Sequence, residues 1–148
     1  MITLRASGEL GAEDISCSVA TGQALAKAGL HPATGGDGTL ACSGDMLLQA
    51  VVACAGVTLR AVATSLKLPV SSGTVAAEGD LDFRGTLGVA KDAPVGFTAI
   101  RLSFTLQTGA SAAEIDTLLK LTRRYCVVYQ TLAGPVELSE TVAVTPGP

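Results

Sequence analysis

This sequence has no tryptophan, one histidine (His31) and only five aromatic rings in 148 residues: Phe83, Phe97, Phe104, Tyr125 and Tyr129. Its core must therefore be built from Ala, Val and Leu. Charge is sparse as well. Asp, Glu, Lys and Arg make up 16% of the chain and sum to −3. With no basic stripe and few rings on which bases could stack, nucleic-acid binding is disfavoured. There is no CxxC pair, and Cys17, Cys42, Cys54 and Cys126 are too scattered around one histidine to suggest a zinc site. No metal is expected. The run Gly35-Gly36-Asp37-Gly38 lacks the Gly-Lys-Ser/Thr that would make it a phosphate cradle. It reads as a plain loop near a ligand pocket or an interface.

Membrane and secretory signals are also missing. The N-terminal residues MITLRASGEL alternate polar and apolar, with no basic region leading into an apolar run. The longest apolar stretch, between Asp45 and Arg60, holds 14 residues, short of the roughly 20 that a spanning helix needs. The expectation is a cytoplasmic protein with no membrane partner, whose thiols are reduced.

What remains is apolar: 48% of the residues, enough for one real core, so residues 1–148 are expected to form a single domain. Residues 2–19 read as one or two short strands broken at Gly8–Gly11, with Ile15, Cys17 and Val19 on one side. Residues 21–43 are less regular, with a helical turn expected at Ala24–Ala28. Residues 44–67 predict a long helix. Ser43 is the expected N-cap, Asp45 lies in the first turn, and Leu68-Pro69 ends it. Its apolar residues cover the whole circumference, the pattern of a helix buried on all sides. At roughly 35 Å it is as long as a small domain. One subunit would struggle to wrap it, so a second copy is expected to cover part of it.

Residues 73–107 predict an antiparallel meander. Thr74–Phe83 is one strand, Gly85–Gly96 holds turns, and Phe97–Gln107 is the clearest strand. Ile100, Leu102, Phe104 and Leu106 share its dry face. Ser111 and Glu114 form a capping box. The helix after it carries Ile115, Leu118, Leu119 and Thr122 on one stripe, which Cys126 continues. Residues 136–144 read as a last strand, with Val136, Leu138, Val142 and Val144 on one face. The element order gives an α+β fold.

Two thiols could carry chemistry. Cys54 lies mid-way along the apolar helix, in Val-Ala-Cys54-Ala-Gly56. Cys126 follows Arg123, Arg124 and Tyr125, and positive charge favours the reactive thiolate. A buried cysteine is also a good small hydrophobe, and two arginines at a helix end suit its dipole. The residues alone leave both readings open.

Residues 44–66, GDMLLQAVVACAGVTLRAVATSL, resemble the central helix of the OsmC/Ohr family, the osmotically inducible and organic hydroperoxide resistance proteins. The segment Tyr125-Cys126-Val127-Val128-Tyr129-Gln130-Thr131-Leu132 is similar to the family's second cysteine motif. The resemblance covers roughly residues 35–145 and is closest to a divergent OsmC-like branch. It implies an intertwined homodimer with antiparallel sheets wrapped around a long central helix and a second, shorter one. It implies that Cys54 is a peroxidatic and Cys126 a resolving thiol. Asp45, Arg60, Arg124 and Tyr125 are candidates for supporting roles. It implies no cofactor beyond an external dithiol reductant. The departures are specific. Gly44 stands where the best-characterised members have Glu, no N-terminal Arg aligns (Arg5 is nearest), and Val127 and Tyr129 replace a usual Pro and Ser. A dimer that binds a small apolar ligand without catalysis, and a thiol redox regulator, are the alternatives. Cys42, beside the Gly-rich loop, is an alternative resolving thiol.

Overall fold

The computed structural model describes residues 3, 6, 8–10, 16–20 and 25–147, with backbone alone for Gly8, Leu10, 16–20 and Leu25. Its elements are β1 (Gly8–Leu10), β2 (Ser16–Ala20), β3 (Leu25–Gly29), β4 (Ala41–Cys42), α1 (Ser43–Ser65), β5 (Val70–Leu81), α2 (Phe83–Thr86), β6 (Phe97–Thr108), α3 (Ala112–Tyr125) and α4 (Val127–Ala133). This is the expected α+β arrangement. Strands β1, β2 and β3 pair antiparallel in sequence order, and β4 adds to β3 in parallel. Strands β5 and β6 form a separate two-stranded antiparallel hairpin.

Of the helical turn expected at Ala24–Ala28, residues 25–28 form a strand instead, and Ala24 lies outside the described residues. The Leu, Ala and Lys of that strand favour helix locally, but Lys27 pairs with Ser18 and Ala26 with Val19. Non-local pairing overrides local propensity. Helix α1 also starts and stops differently. Cys42, extended at φ −78° and ψ 133°, occupies the N-cap, and no side chain caps the helix; Ser43 is already its first residue. The helix ends at Ser65, ahead of Leu68-Pro69. Lys67 takes the left-handed conformation (φ 56°). The Lys67 N–H then donates to the Thr64 carbonyl at 3.1 Å and the Leu68 N–H to the Ala63 carbonyl at 2.9 Å, a Schellman closure with lysine where glycine is usual.

Within the chain α1 is not buried all round. Val51, Ala55, Leu59 and Ala63, at i, i+4 spacing, form one buried stripe, while Val57 is 73% exposed. By length and composition α1 could also cross a membrane; here it packs against β5, α3 and α4. The core gathers Leu59, Ala63, Val70 and Leu118, backed by Val62, Leu68, Phe104, Leu106, Ile115 and Leu119. The dry face of β6 is the predicted one. On its wet face Arg101 clamps Asp80 at 2.6 and 2.8 Å. Asp82 leaves the strand to cap α2, its carboxylate accepting from the Arg84 N–H at 3.0 Å.

Helix α3 carries both halves of the capping box, Ser111 and Glu114. Its stripe descends through Leu118 and Thr122 to Cys126, all at most 1% exposed. Cys126 is extended (φ −72°, ψ 108°) and is both the C-cap of α3 and the N-cap of α4. The last strand expected at 136–144 does not form. Residues 134–147 run without regular structure, and Leu138, Val142 and Val144 are 84–90% exposed. The alternation is present, but no described strand of the chain pairs with it.

Candidate functional site: a pair of thiols

Three described cysteines are free thiols: Cys42, Cys54 and Cys126. Cys54 lies in the middle of α1, half-buried. Cys126 lies at the junction of α3 and α4, where α4 meets α1. Although 72 residues apart in sequence, the two thiols act directly on each other.

The first turn of α4 completes the site. A helix leaves its first backbone N–H groups without intrahelical partners. In α4 the first internal bond runs from the Gln130 N–H to the Cys126 carbonyl at 3.0 Å. The N–H groups of Val127, Val128 and Tyr129 are therefore free to serve the sulfurs. Burial pushes the Cys54 thiol up. The Val128 N–H, the Cys126 thiol, the Thr58 hydroxyl and the Val127 N–H together outweigh that, and hold Cys54 below the ordinary thiol value of 9.0. For Cys126 burial dominates and pushes it above 9.0. The sulfur of Cys54 adds to the rise through hydrogen bonding and charge, and the N–H groups of Tyr129 and Val128 offset only part of it. The surroundings thus make Cys54 the more acidic thiol of the pair and Cys126 the less acidic. The thiolate is the nucleophilic form of cysteine.

The other sequence candidates lie elsewhere. Asp45 is exposed in the first turn of α1, about 13 Å along the axis from Cys54. The Arg60 Nη1 donates to the Val70 carbonyl at 2.7 Å, tying α1 to β5. The Arg124 guanidinium lies 5.7 Å from the ring centroid of Tyr125, which is 59% exposed. Arg5 is outside the described residues, and so is the side chain of Cys17. Cys42 begins α1, about 18 Å along the helix from Cys54, far beyond the Cα separation a disulfide allows. Among the described residues no group of three His, Cys, Asp or Glu gathers to hold a metal. Sequence reasoning missed Thr58, Val127 and Val128. Thr58 carried a usable signal, its i+4 spacing from Cys54 on a helix. The two backbone donors carried none, because nothing marks α4 as a separate helix.

Two hollows flank the N-terminal half of α1. One, of about 800 Å³, is lined by Leu47, Val51, Phe97, Leu102, Tyr129 and Leu132 among others, with Arg123 as its one charged residue. The other, of about 490 Å³, includes Cys42, Leu81, Phe83 and, from the Gly-rich loop region, His31 and Thr34. His31 stacks on Phe83 with centroids 4.9 Å apart. Phe97 lines both hollows. A Cβ at Gly44 would meet the Phe97 Cζ at 3.4 Å, so any longer side chain there would have to skirt that ring.

A strand hairpin laid along a long helix, with two free thiols where that helix meets a short one, defines an α+β two-thiol protein. Residues 36–141 match the model of the OsmC-like protein family. The chain belongs to that family. No curated protein matches the sequence. Solved structures share the fold at low identity. An OsmC-like protein from Mycoplasma pneumoniae is 19% identical with a TM-score of 0.74, covering 90% of this chain and 89% of that one. An organic hydroperoxide resistance protein from Elizabethkingia anophelis is 17% identical with a TM-score of 0.71, covering 93% and 92%. An organic hydroperoxide resistance protein OsmC from Legionella pneumophila is 18% identical with a TM-score of 0.69, covering 90% and 91%.

Proposed function

We propose that this protein is a cysteine-based thiol peroxidase that reduces organic hydroperoxides or hydrogen peroxide, with Cys54 attacking and Cys126 resolving. One observation carries the reading: two adjacent thiols whose surroundings push their acidities apart, Cys54 down and Cys126 up. Such a division supports Cys54 as the nucleophile and Cys126 as its proton-bearing partner. That two proteins sharing the fold are named organic hydroperoxide resistance proteins supports a role in peroxide stress.

In this mechanism the Cys54 thiolate attacks the terminal oxygen of the peroxide. The O–O bond breaks, the alkoxide takes a proton and leaves as alcohol, and Cys54 becomes a sulfenic acid. Cys126 then attacks the Cys54 sulfur, forming the disulfide and releasing water. An external dithiol supplies two electrons and two protons by exchange and restores both thiols. The cycle needs no metal or organic cofactor, and the reducing cytoplasm suits it.

The functional unit in this reading is a homodimer. Val57 on α1 is 73% exposed, a large apolar residue on a helix whose uncovered side remains apolar. Residues 136–144 keep a strand's alternation without a strand's partner. A two-stranded hairpin such as β5–β6 is marginal alone, and its open edges invite pairing. A second copy would cover all three.

The apolar groove of about 800 Å³ favours a second reading, a dimeric protein that binds a small apolar ligand without turning it over. One experiment separates the two. Reduced wild type, Cys54→Ser and Cys126→Ser are treated with one equivalent of cumene hydroperoxide and followed by thiol count and intact mass. The peroxidase reading expects rapid loss of two thiols in wild type and a sulfenic acid in Cys126→Ser. In Cys54→Ser it expects no loss above the slow background of ordinary thiols. Loss no faster than free cysteine in every variant would refute it.

A further inference from the structure

We infer that Gln130 is a positioning residue for Cys126: its side-chain amide, bonded to the Arg123 carbonyl across the α3–α4 junction, latches α4 to the end of α3 and fixes where the Cys126 thiol lies against α1. The latch stands apart from the peroxidase reading; only its consequence for disulfide closure rests on that reading.

The bend at Cys126 leaves a carbonyl that needs a donor. The Cys126 N–H closes α3 on the Thr122 carbonyl at 2.9 Å. In an unbroken helix the next bond would run from the Val127 N–H to the Arg123 carbonyl. Cys126 is extended instead, at φ −72° and ψ 108°, and turns the chain away. Among the described residues no backbone N–H then reaches the Arg123 carbonyl. The Gln130 Nε2 takes that place at 2.8 Å, from seven residues further on. A carbonyl only accepts, so the amide nitrogen is the end that faces it. Among the described residues this is the one side-chain hydrogen bond between α3 and α4; the hydroxyls of Thr122 and Thr131 turn back onto carbonyls of their own helices.

The latch acts on an element that needs one. At seven residues α4 is too short to be stable by itself. It lies against α1, and Cys126 at its start is only 1% exposed. The Gln130 N–H also donates to the Cys126 carbonyl, at 3.0 Å. Gln130 therefore grips both sides of the bend, its backbone holding Cys126 and its side chain holding the end of α3. The acidities of the two thiols, each set in part by the other, agree with a bend held close to Cys54.

The test compares wild type, Gln130→Met, which keeps the length and helix preference and removes the donor, and Gln130→Lys, which keeps a donor. Gln130 is exposed, so both variants should fold, and thermal unfolding checks that they do. Reduced full-length protein is labelled with N-ethylmaleimide, and modification of each cysteine is followed by peptide mass. A buried thiol is labelled through local opening. Gln130→Met should label Cys126 about two- to fivefold faster than wild type, the scale of one lost hydrogen bond. Cys42 should label at an unchanged rate, and Gln130→Lys should return Cys126 most of the way to wild type. With one equivalent of cumene hydroperoxide, intact mass separates formation of the Cys54 sulfenic acid from its closure with Cys126, which releases water. Closure depends steeply on how the two sulfurs are placed. It should slow by at least about twofold in Gln130→Met, with sulfenic-acid formation changing less, and recover in Gln130→Lys. Cys126 labelling in Gln130→Met that coincides with wild type would overturn the inference. So would equal acceleration at Cys42 or a collapse of the fold, either of which would mark a general loosening, and so would a Gln130→Lys result no better than Gln130→Met. Faster labelling with unchanged closure would confine Gln130 to burying the thiol and overturn its positioning role. If wild type consumes no hydroperoxide while Cys126 labelling still responds, the peroxidase reading fails and the latch stands.

Discussion

Val127→Pro separates the reactivity of Cys54 from the stability of the fold. Val127 is the first residue of α4, its side chain is 70% exposed, and its N–H is spent on the Cys54 sulfur. Proline is well suited to a first helical position, where the missing N–H has no intrahelical duty. The residue before it must be extended, and Cys126 already is, at φ −72° and ψ 108°. The Val127 carbonyl, which accepts from the Thr131 hydroxyl at 2.9 Å, survives the change. Proline therefore removes one donor to the thiolate and nothing else that the fold uses. Stability in urea should hold or rise by up to about 1 kcal/mol, because the unfolded chain loses freedom. Alkylation of Cys54 at pH 7 should slow by up to about fivefold, the ceiling set by one hydrogen bond of about 1 kcal/mol, because the Val127 N–H is the weakest of the groups that lower Cys54. The assay is a urea midpoint and an iodoacetamide rate measured on the same preparation. An unchanged rate with an intact fold would refute the role given to the α4 backbone. A collapse in stability would refute the placement of Val127 at the helix start.

Leu118→Ala should cost about 3 kcal/mol in urea unfolding, because Leu118 is fully buried against α1 and β5 and its truncation leaves a cavity. Leu118→Met should cost under about 1.5 kcal/mol, and a Leu118→Ala loss below 1 kcal/mol would mean that this core does not hold α3. The thiols also predict how stability depends on pH. Cys54 is depressed in the fold, so its contribution is fully present above the unfolded value near 9.0 and is lost as pH falls through the folded one. Cys126 is raised, so above 9.0 the fold keeps a proton that the unfolded chain releases, and its effect opposes folding there. Under reducing conditions the urea midpoint of Cys126→Ser, relative to a variant with both thiols replaced by Ser, should rise with pH toward 9. That of Cys54→Ser on the same comparison should show no such rise, and a rise in Cys54→Ser instead would reverse the assignment of the two thiols.

The parts of this fold that were legible in the sequence are those set by local, repeating physics. The period-two pattern of Ile100, Leu102, Phe104 and Leu106 needs only one wet and one dry face. The capping box needs only Ser111 and Glu114. The stripe from Ile115 to Cys126 needs only a helical repeat. The parts that were not legible depend on partners. Leu25–Gly29 is a strand because β2 lies beside it, against the helical preference of its own Ala, Leu and Lys. Cys42 replaces Ser43 at the start of α1 because β4 delivers the chain there in an extended conformation. Helix α4 is seven residues long, too short to show a period.

The candidate site divides along the same line. Cys54 and Cys126 could be picked out as residue types at a given spacing, but what sets them apart chemically is mostly backbone. Three N–H groups of one helical turn serve two sulfurs, and a backbone N–H carries no residue code except where proline removes it. The tail at 136–144 is the complementary case. Its alternation predicts a strand, yet it lies unpaired in the isolated chain with Leu138 90% exposed. Alternation specifies which face a strand would bury, not whether a partner is present. If the tail pairs with a second copy, Leu138→Lys should favour the monomer by sedimentation and leave the Cys54–Cys126 contact in each chain intact. If it pairs with nothing, the same substitution should change neither sedimentation nor stability.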